Sequence, residues 1–261
     1  MFEELNLSQK FYYHNFISII MLLFWIFIGF KGYRLKNHQK ILFTSNWIII
    51  ICLIQESLDF INRLYLDQNY TFSIHRDLPF LQFCQISFYF SLICIFLSKN
   101  IRFKKNKYTQ FLFDCAFLLG FSGALQGIIT PDFEYINNMI GVICIQLQHS
   151  LIILNIIWLI IMYNYKLTFK GVIYTYLFIN IIAPFALLLN KLLGTNSDGL
   201  SANYFYVNEL PKADNYFLNI IAHHPSPDYI LYIQPIFILY FIALYFLFLA
   251  INILKIEKRA G

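Results

Sequence analysis

A thiol, an imidazole and several carboxamides sit inside stretches of this chain that are otherwise apolar. Cys84, Gln126, His149 and Gln234 lie within such stretches, and Glu56 and Asp59 occupy the last third of another. A thiol beside an imidazole is the minimum for thiol-based acyl transfer: the base takes the proton and the thiolate attacks an acyl carbonyl. His149 is the one histidine that the hydropathy pattern puts well inside a run, which makes it the candidate base. Gln82 and Gln85 flank Cys84, and Ser87 and Ser91 continue a polar stripe at three- and four-residue spacing. Such surroundings supply the polar, partly hydrated setting a reactive thiol needs. Gln146 lies one turn from His149 on the same helical face. The plain alternatives stand beside this: a buried cysteine is otherwise packing, and a membrane histidine is otherwise a hydrogen bonder between helices. An ionisable group in hydrocarbon is costly unless paired or hydrated, so each of these residues is a site candidate.

Glu56, Asp59 and Arg63 are spaced by three and then four residues, which aligns them on one helical face. They form either a self-satisfied ion stack or a carboxylate that orients a base. Gln126 falls within Gly123-Ala124-Leu125-Gln126-Gly127, whose two glycines have the spacing of close helix packing. From there Gln126 points toward a lipid headgroup or an acyl carbonyl. Asp114, near the opposite end of that run, is expected to snorkel toward the basic 99–107 loop. Cys52, Cys84, Cys94, Cys115 and Cys144 form no CxxC pair, so neither a disulfide framework nor a zinc site is indicated, and no cofactor is expected.

The elements that must position these groups are transmembrane helices. Of the 261 residues, 59% are hydrophobic and only 13% charged, about half the charge of an ordinary soluble domain. Seven apolar runs are long enough to span, at 11–30, 41–62, 78–98, 109–130, 139–163, 171–193 and 229–254. The fold class is therefore all-α: a polytopic bundle of about seven transmembrane helices in one domain, 1–261. Lys31, Arg34, Lys36 and Lys40, then Lys99, Arg102, Lys104, Lys105 and Lys107, then Lys166 and Lys170, and finally Lys255, Lys258 and Arg259 fall on one side. These are fourteen of nineteen basic residues; Lys10, Arg63, Arg76, Lys191 and Lys212 are left to the other side. That asymmetry places the N-terminus outside and the C-terminus inside. It also makes the net charge of +5 a topology signal and not a nucleic-acid footprint. The acidic Met-Phe-Glu-Glu start argues for a retained first span over a cleaved leader. The 194–228 segment, with Tyr204, Phe205, Tyr206, Tyr216 and Phe217, is expected to be an outer cap lying in the interface.

With this topology Cys84 would lie about two turns below the outer surface and His149 near the bilayer middle. Leu78-Pro79 ahead of Cys84, Gly123-Ala124-Leu125-Gln126-Gly127 with Thr130-Pro131-Asp132, His149-Ser150, and Leu193-Gly194-Thr195-Asn196 occur in the order and spacing of a known family. Over roughly 56–240 the chain resembles the YwaF-type bacterial integral membrane family. The resemblance implies a bundle of about seven helices and a distant relationship to animal transmembrane acyltransferases that remodel phospholipids. Their intramembrane cysteine and histidine correspond to Cys84 and His149. Two departures are a glutamine, Gln82, where the family usually has a histidine, and Gln234 where it commonly has an acidic residue.

The expected function is a lipid-active acyltransferase or transacylase of the bacterial plasma membrane. Cys84 would be acylated from a phospholipid and His149 would act as base. Gln126 and Asn196 would hold the oxyanion or headgroup, and Glu56 or Asp59 would orient the site. Membrane lipids are the expected partners, with a lysophospholipid or a lipoprotein amine as acceptor. The alternative is a non-enzymatic carrier or receptor binding a small solute or lipid in the same pocket. A purely structural or assembly subunit is the third reading, favoured if Glu56, Asp59 and Arg63 only pair among themselves.

Overall fold

In the computed structural model the described residues are 4–32, 34–35, 37–100, 105–197, 199–211 and 216–260, the side chains of 217 and 252–260 excepted. Lys36, Arg102, Lys104 and Lys212, and the side chains of Phe217, Lys255, Lys258 and Arg259, lie outside that description. The described chain is helical: α1 (Leu7–Gly32), α2 (His38–Ile61), α3 (Phe83–Ser98), α4 (Lys107–Leu119), α5 (Leu125–Ile129), α6 (Met139–Met162), α7 (Phe169–Leu193), α8 (Tyr216–Ile221) and α9 (Tyr229–Ala260). Wider π turns extend α2 through Asn62–Leu66 and join α4 to α5 through Gly120–Ala124. Six helical stretches are long and apolar enough to cross a membrane, and α3 is a shorter apolar helix.

Side-chain caps set several starts. Asn37 caps α2, Asn106 caps α4 through a reciprocal box with Thr109, Asn138 caps α6, and Thr168 caps α7. The third span begins later than hydropathy suggests. Pro79 and the left-handed Phe80 (φ 67°) break the chain, and the helix starts at Phe83. Leu81 instead accepts a hydrogen bond from the Phe205 amide at 3.1 Å. Cys84 therefore stands in the first turn of α3, not two turns inside it.

α6 is the central helix. It packs on α1, α2 and α3, and 67% of its span is buried, against 17% for α1 and 11% for α9. The poorly covered helices present Phe, Leu and Ile outward, for example Leu23, Phe27, Leu188, Leu192 and Leu239. Such apolar surface fits lipid, as expected for a polytopic membrane protein. Loops gather at two ends. At one end Leu5 bonds Asn137, His75 bonds the Leu193 carbonyl and Phe205 bonds Leu81. At the other, Ser98 bonds Tyr165 and Gln110 bonds the Lys166 carbonyl.

Candidate functional site

The double glycine before α6 receives both chemical candidates. A Cβ added at Gly123 would fall 2.8 Å from Cys84 Sγ, and one at Gly127 would fall 2.5 Å from His149 Cε1. Thiol and imidazole thus lie flush against two glycines one helical turn apart on one segment. Side chains at that spacing start about 6 Å apart, so sulfur and ring are within roughly 11 Å of each other. Glycine leaves at both positions the room that the Cys84 and His149 side chains, carried by α3 and α6, take up.

The start of α3 adds to this. The first intrahelical bond is from Ile86 N–H to the Gln82 carbonyl, and no side chain caps the end. The amides of residues 83–85 precede that bond and point out of the helix beside Cys84. Around them the amide oxygens of Gln82 and Gln85 are buried without a hydrogen-bond partner, as are those of Gln146 and Gln234. Gln234 donates to the Ile230 carbonyl one turn back, at 3.0 Å. Gln126 engages the Tyr240 hydroxyl, which donates to the Phe121 carbonyl at 2.9 Å.

The cap closes over this end. Tyr204–Tyr206 forms a short 3₁₀ turn in which Phe205 (φ 57°) and Tyr206 (φ 51°) are both left-handed. That conformation costs about 1–3 kcal/mol per bulky residue and needs surrounding structure to hold it. Tyr204 supplies the hold: its amide donates to Asn190 Oδ1 at 2.9 Å, its carbonyl accepts from Asn190 Nδ2 at 3.1 Å, and its hydroxyl accepts from the Leu78 amide at 3.0 Å. The Phe205 ring then packs on Phe83, 5.0 Å between centroids. Burial pushes the Tyr206 phenol up, and the nearby carboxylates of Asp132 and Glu134 push it further.

A second imidazole borders the same segment. His14 is 2% exposed within α1 and donates through Nε2 to the Ile128 carbonyl at 2.9 Å. Because a carbonyl can only accept, Nε2 carries the proton and Nδ1 is a bare lone pair, buried and without a partner. Ser18 donates to the His14 carbonyl (2.8 Å) and accepts from Gln146 Nε2 (2.6 Å). His149 is therefore not alone inside a span. α1 begins at Leu7, four residues before the hydropathy boundary, and this extension brings His14 into the bundle.

The remaining candidates separate. Glu56 leaves its expected stack: Tyr89 donates to Oε1, and Gln148 donates to Oε2 at 2.8 Å. Asp59 pairs with Arg63 at 2.7 Å, and Arg63 also reaches Asp77 at 3.4 Å, which Arg76 meets at 3.2 Å. Asn196 organises a tight loop, accepting from the Leu200 amide at 2.8 Å. Ser87 donates to the Ala116 carbonyl, and Ser91 to that of Phe88 while accepting from Asn155. Asp114 does not snorkel. It is 2% exposed and accepts from Gln110 Nε2 (2.9 Å), Thr168 Oγ1 (2.9 Å) and the Thr168 amide (3.2 Å), pinning the start of α7. The reason is Gly171, where a Cβ would lie 2.2 Å from Asp114 Cγ: the carboxylate fills the space that glycine leaves. All five cysteines are free, and among the described residues no group of three or more His, Cys, Asp or Glu could hold a metal.

Long apolar helices around a buried polar cluster define a multi-pass membrane protein. The family model of the TMEM164 family matches residues 6–245, nearly the whole chain, and the chain belongs to that family. The match names TMEM164 where the sequence motifs suggested a YwaF-type relative. No curated protein and no solved structure matches it.

Proposed function

We propose that this protein is a thiol-dependent acyltransferase of the cell membrane that moves acyl chains between lipids. The observation that carries this reading is the seating of Cys84 and His149 on Gly123 and Gly127, one turn apart. In the first step His149 takes the Cys84 proton and the thiolate attacks the ester carbonyl of a phospholipid. The carbon–sulfur bond forms, the carbon–oxygen bond breaks, and His149 returns the proton to the departing lysophospholipid oxygen. In the second step a lysophospholipid hydroxyl or a lipoprotein amine attacks the thioester and restores the thiol. The outward-pointing amides at the start of α3 serve the developing oxyanion, with Gln126 as a supporting donor. That assignment replaces Asn196, which the loop engages. The basic asymmetry of the loops in the sequence puts the basic ones toward the cytoplasm in this reading, and the Cys84 end toward the outer leaflet.

The test is labelling of purified protein with a fluorescent phospholipid. A hydroxylamine-sensitive adduct is expected on wild type and is lost in Cys84→Ala. Equal labelling of the variant overturns the proposal. A binding role without chemistry is favoured by one feature, the unpartnered amide oxygens of Gln82, Gln85 and Gln234, which suit a hydrogen-bond-donating ligand. In that case the lipid is retained non-covalently and Cys84→Ala retains it equally well.

A further inference from the structure

A separate cavity of about 420 Å³ opens where α7 ends, at the end of the bundle that carries the cap. Its polar lining comprises Asn190, Lys191, Thr195, Ser201, Asn208 and Ser226. We propose that this cavity binds the phosphodiester of a membrane lipid, a role that requires no reaction at Cys84.

The donor inventory points to an anion. Among the described lining residues there is one cation, Lys191, and no carboxylate. Thr195 and Ser201 bond each other at 2.8 Å, and whichever hydroxyl accepts keeps its own proton to donate elsewhere. Asn208 Nδ2 gives one proton to the Ala202 carbonyl at 2.8 Å and has a second to give. An ammonium plus neutral N–H and O–H donors match the single charge and several acceptor oxygens of a phosphodiester. The carbonyls at the end of α7 would repel an anion, but two are capped: Asn190 O by the Gly194 amide at 2.9 Å and Leu193 O by His75 at 3.2 Å.

The surroundings choose between a lipid and a soluble phosphate. Leu188 and Leu192 flank Lys191 along α7 and are exposed, and Phe185 and Ile181 continue that outward apolar face away from the cavity. A lipid with its phosphate at Lys191 could lay its chains along this face; a free phosphate would leave it unused. Asn190 also joins the cavity to the turn over Cys84, because its side chain holds both backbone groups of Tyr204. The plain reading of Lys191 is snorkelling, a charge reaching out of an apolar helix with no ligand.

Native mass spectrometry of the full chain in a sugar detergent separates these readings. The probes are short-chain phosphatidylglycerol, diacylglycerol of the same chains, and glycerol 3-phosphate. Wild type should prefer phosphatidylglycerol to diacylglycerol by at least about tenfold, the scale of one charge-assisted contact set. Lys191→Gln should erase that preference while leaving diacylglycerol binding unchanged, which also verifies the fold. Lys191→Arg should keep it, and Ser201→Ala should weaken it about twofold to threefold. Unchanged preference in Lys191→Gln means a snorkelling lysine and overturns the site. Glycerol 3-phosphate binding as tightly as phosphatidylglycerol overturns the lipid assignment in favour of a soluble phosphate ester.

Discussion

Two polar clusters lie toward the same end of this bundle, and they are built on opposite terms. The Asp59, Arg63, Asp77 and Arg76 cluster is saturated: each charge meets an opposite charge, Tyr70 donates to Asp77, and Arg76 lies 4.3 Å over the Tyr70 ring. The Cys84 and His149 cluster is open: the glutamine oxygens at 82, 85 and 234 lack partners, and the thiol and the ring each lie against a glycine of one segment. A buried acceptor left without a donor costs about 1–3 kcal/mol. Closed networks hold a fold together, whereas a buried acceptor without a donor calls for a further partner such as a water, an ion or a ligand. In the proposed reading the charged cluster is the structural one, although its residues are the more conspicuous in the sequence.

The largest effect should come from breaking the saturated side. Asp77 is about 1% exposed at its side chain and sits between two arginines. Asp77→Ala leaves Arg76 without its carboxylate and Arg63 with Asp59 alone, and should cost about 3 kcal/mol, the lower end of the range for opening a buried pair. A thermal or denaturant midpoint measured in detergent reads this directly. Phospholipid labelling per folded molecule should remain. Loss of labelling with stability intact would reverse the roles assigned to the two clusters.

Gly127→Ala tests the open side. The new methyl would meet the His149 ring at 2.5 Å, so the imidazole must move by something near an ångström. Displacement of that size costs about a hundredfold in rate where geometry governs chemistry. Labelling should fall by that factor with a change in stability smaller than for Asp77→Ala. Gly123→Ala, meeting Cys84 Sγ at 2.8 Å, should behave alike. If Gly127→Ala labels at the wild-type rate, His149 is packing.

Much of this was legible in the sequence, and the reasons for the rest are physical. Hydropathy delimits the helices because a span must be apolar for its whole length, and positions such as 139 and 229 are helix starts on both readings. Polarity inside an apolar span singles out Cys84 and His149 as candidates, because such a group is costly in hydrocarbon. Partners across helices are another matter. Helical spacing puts Glu56, Asp59 and Arg63 on one face, yet Glu56 bonds Tyr89 and Gln148, which belong to other helices. Asp77 and Arg76 are loop residues that no spacing rule ties to Asp59. The break at Pro79 and Phe80 was written in the proline, but the apolar run across it conceals the late start of α3. His14 lies only one turn inside the hydropathy boundary at 11, and the earlier start of α1 at Leu7 puts it two turns into the helix.

Gly171→Ala probes a third arrangement, at the opposite end. Its methyl would overlap the Asp114 carboxylate, which three donors hold at the start of α7. Displacing the carboxylate strands those donors in a buried place, and a loss of about 2–3 kcal/mol follows. Asp114→Asn, which still accepts at one oxygen, should cost less, about 1 kcal/mol. Both belong on the structural side, so labelling per folded molecule should be unchanged.

The smallest effect sharpens the saturated cluster through pH. Burial, outweighing the opposing pull of Arg63, together with the hydrogen bond to Asp77, pushes the Tyr70 phenol up to about 12. An unfolded tyrosine loses its proton near pH 10. Between those values the unfolded chain binds fewer protons than the native one, so stability falls as pH rises. The contribution is complete below about pH 10 and is lost as pH approaches 12. Tyr70 is partly exposed, so the change should be only about 1 kcal/mol after screening. Because lysines titrate in the same window, the measurement is the difference between wild type and Tyr70→Phe. That difference should shrink between pH 10 and 12 if the phenol belongs to the closed network. A constant difference would mean that Tyr70 packs beside the arginines without sharing its proton with Asp77.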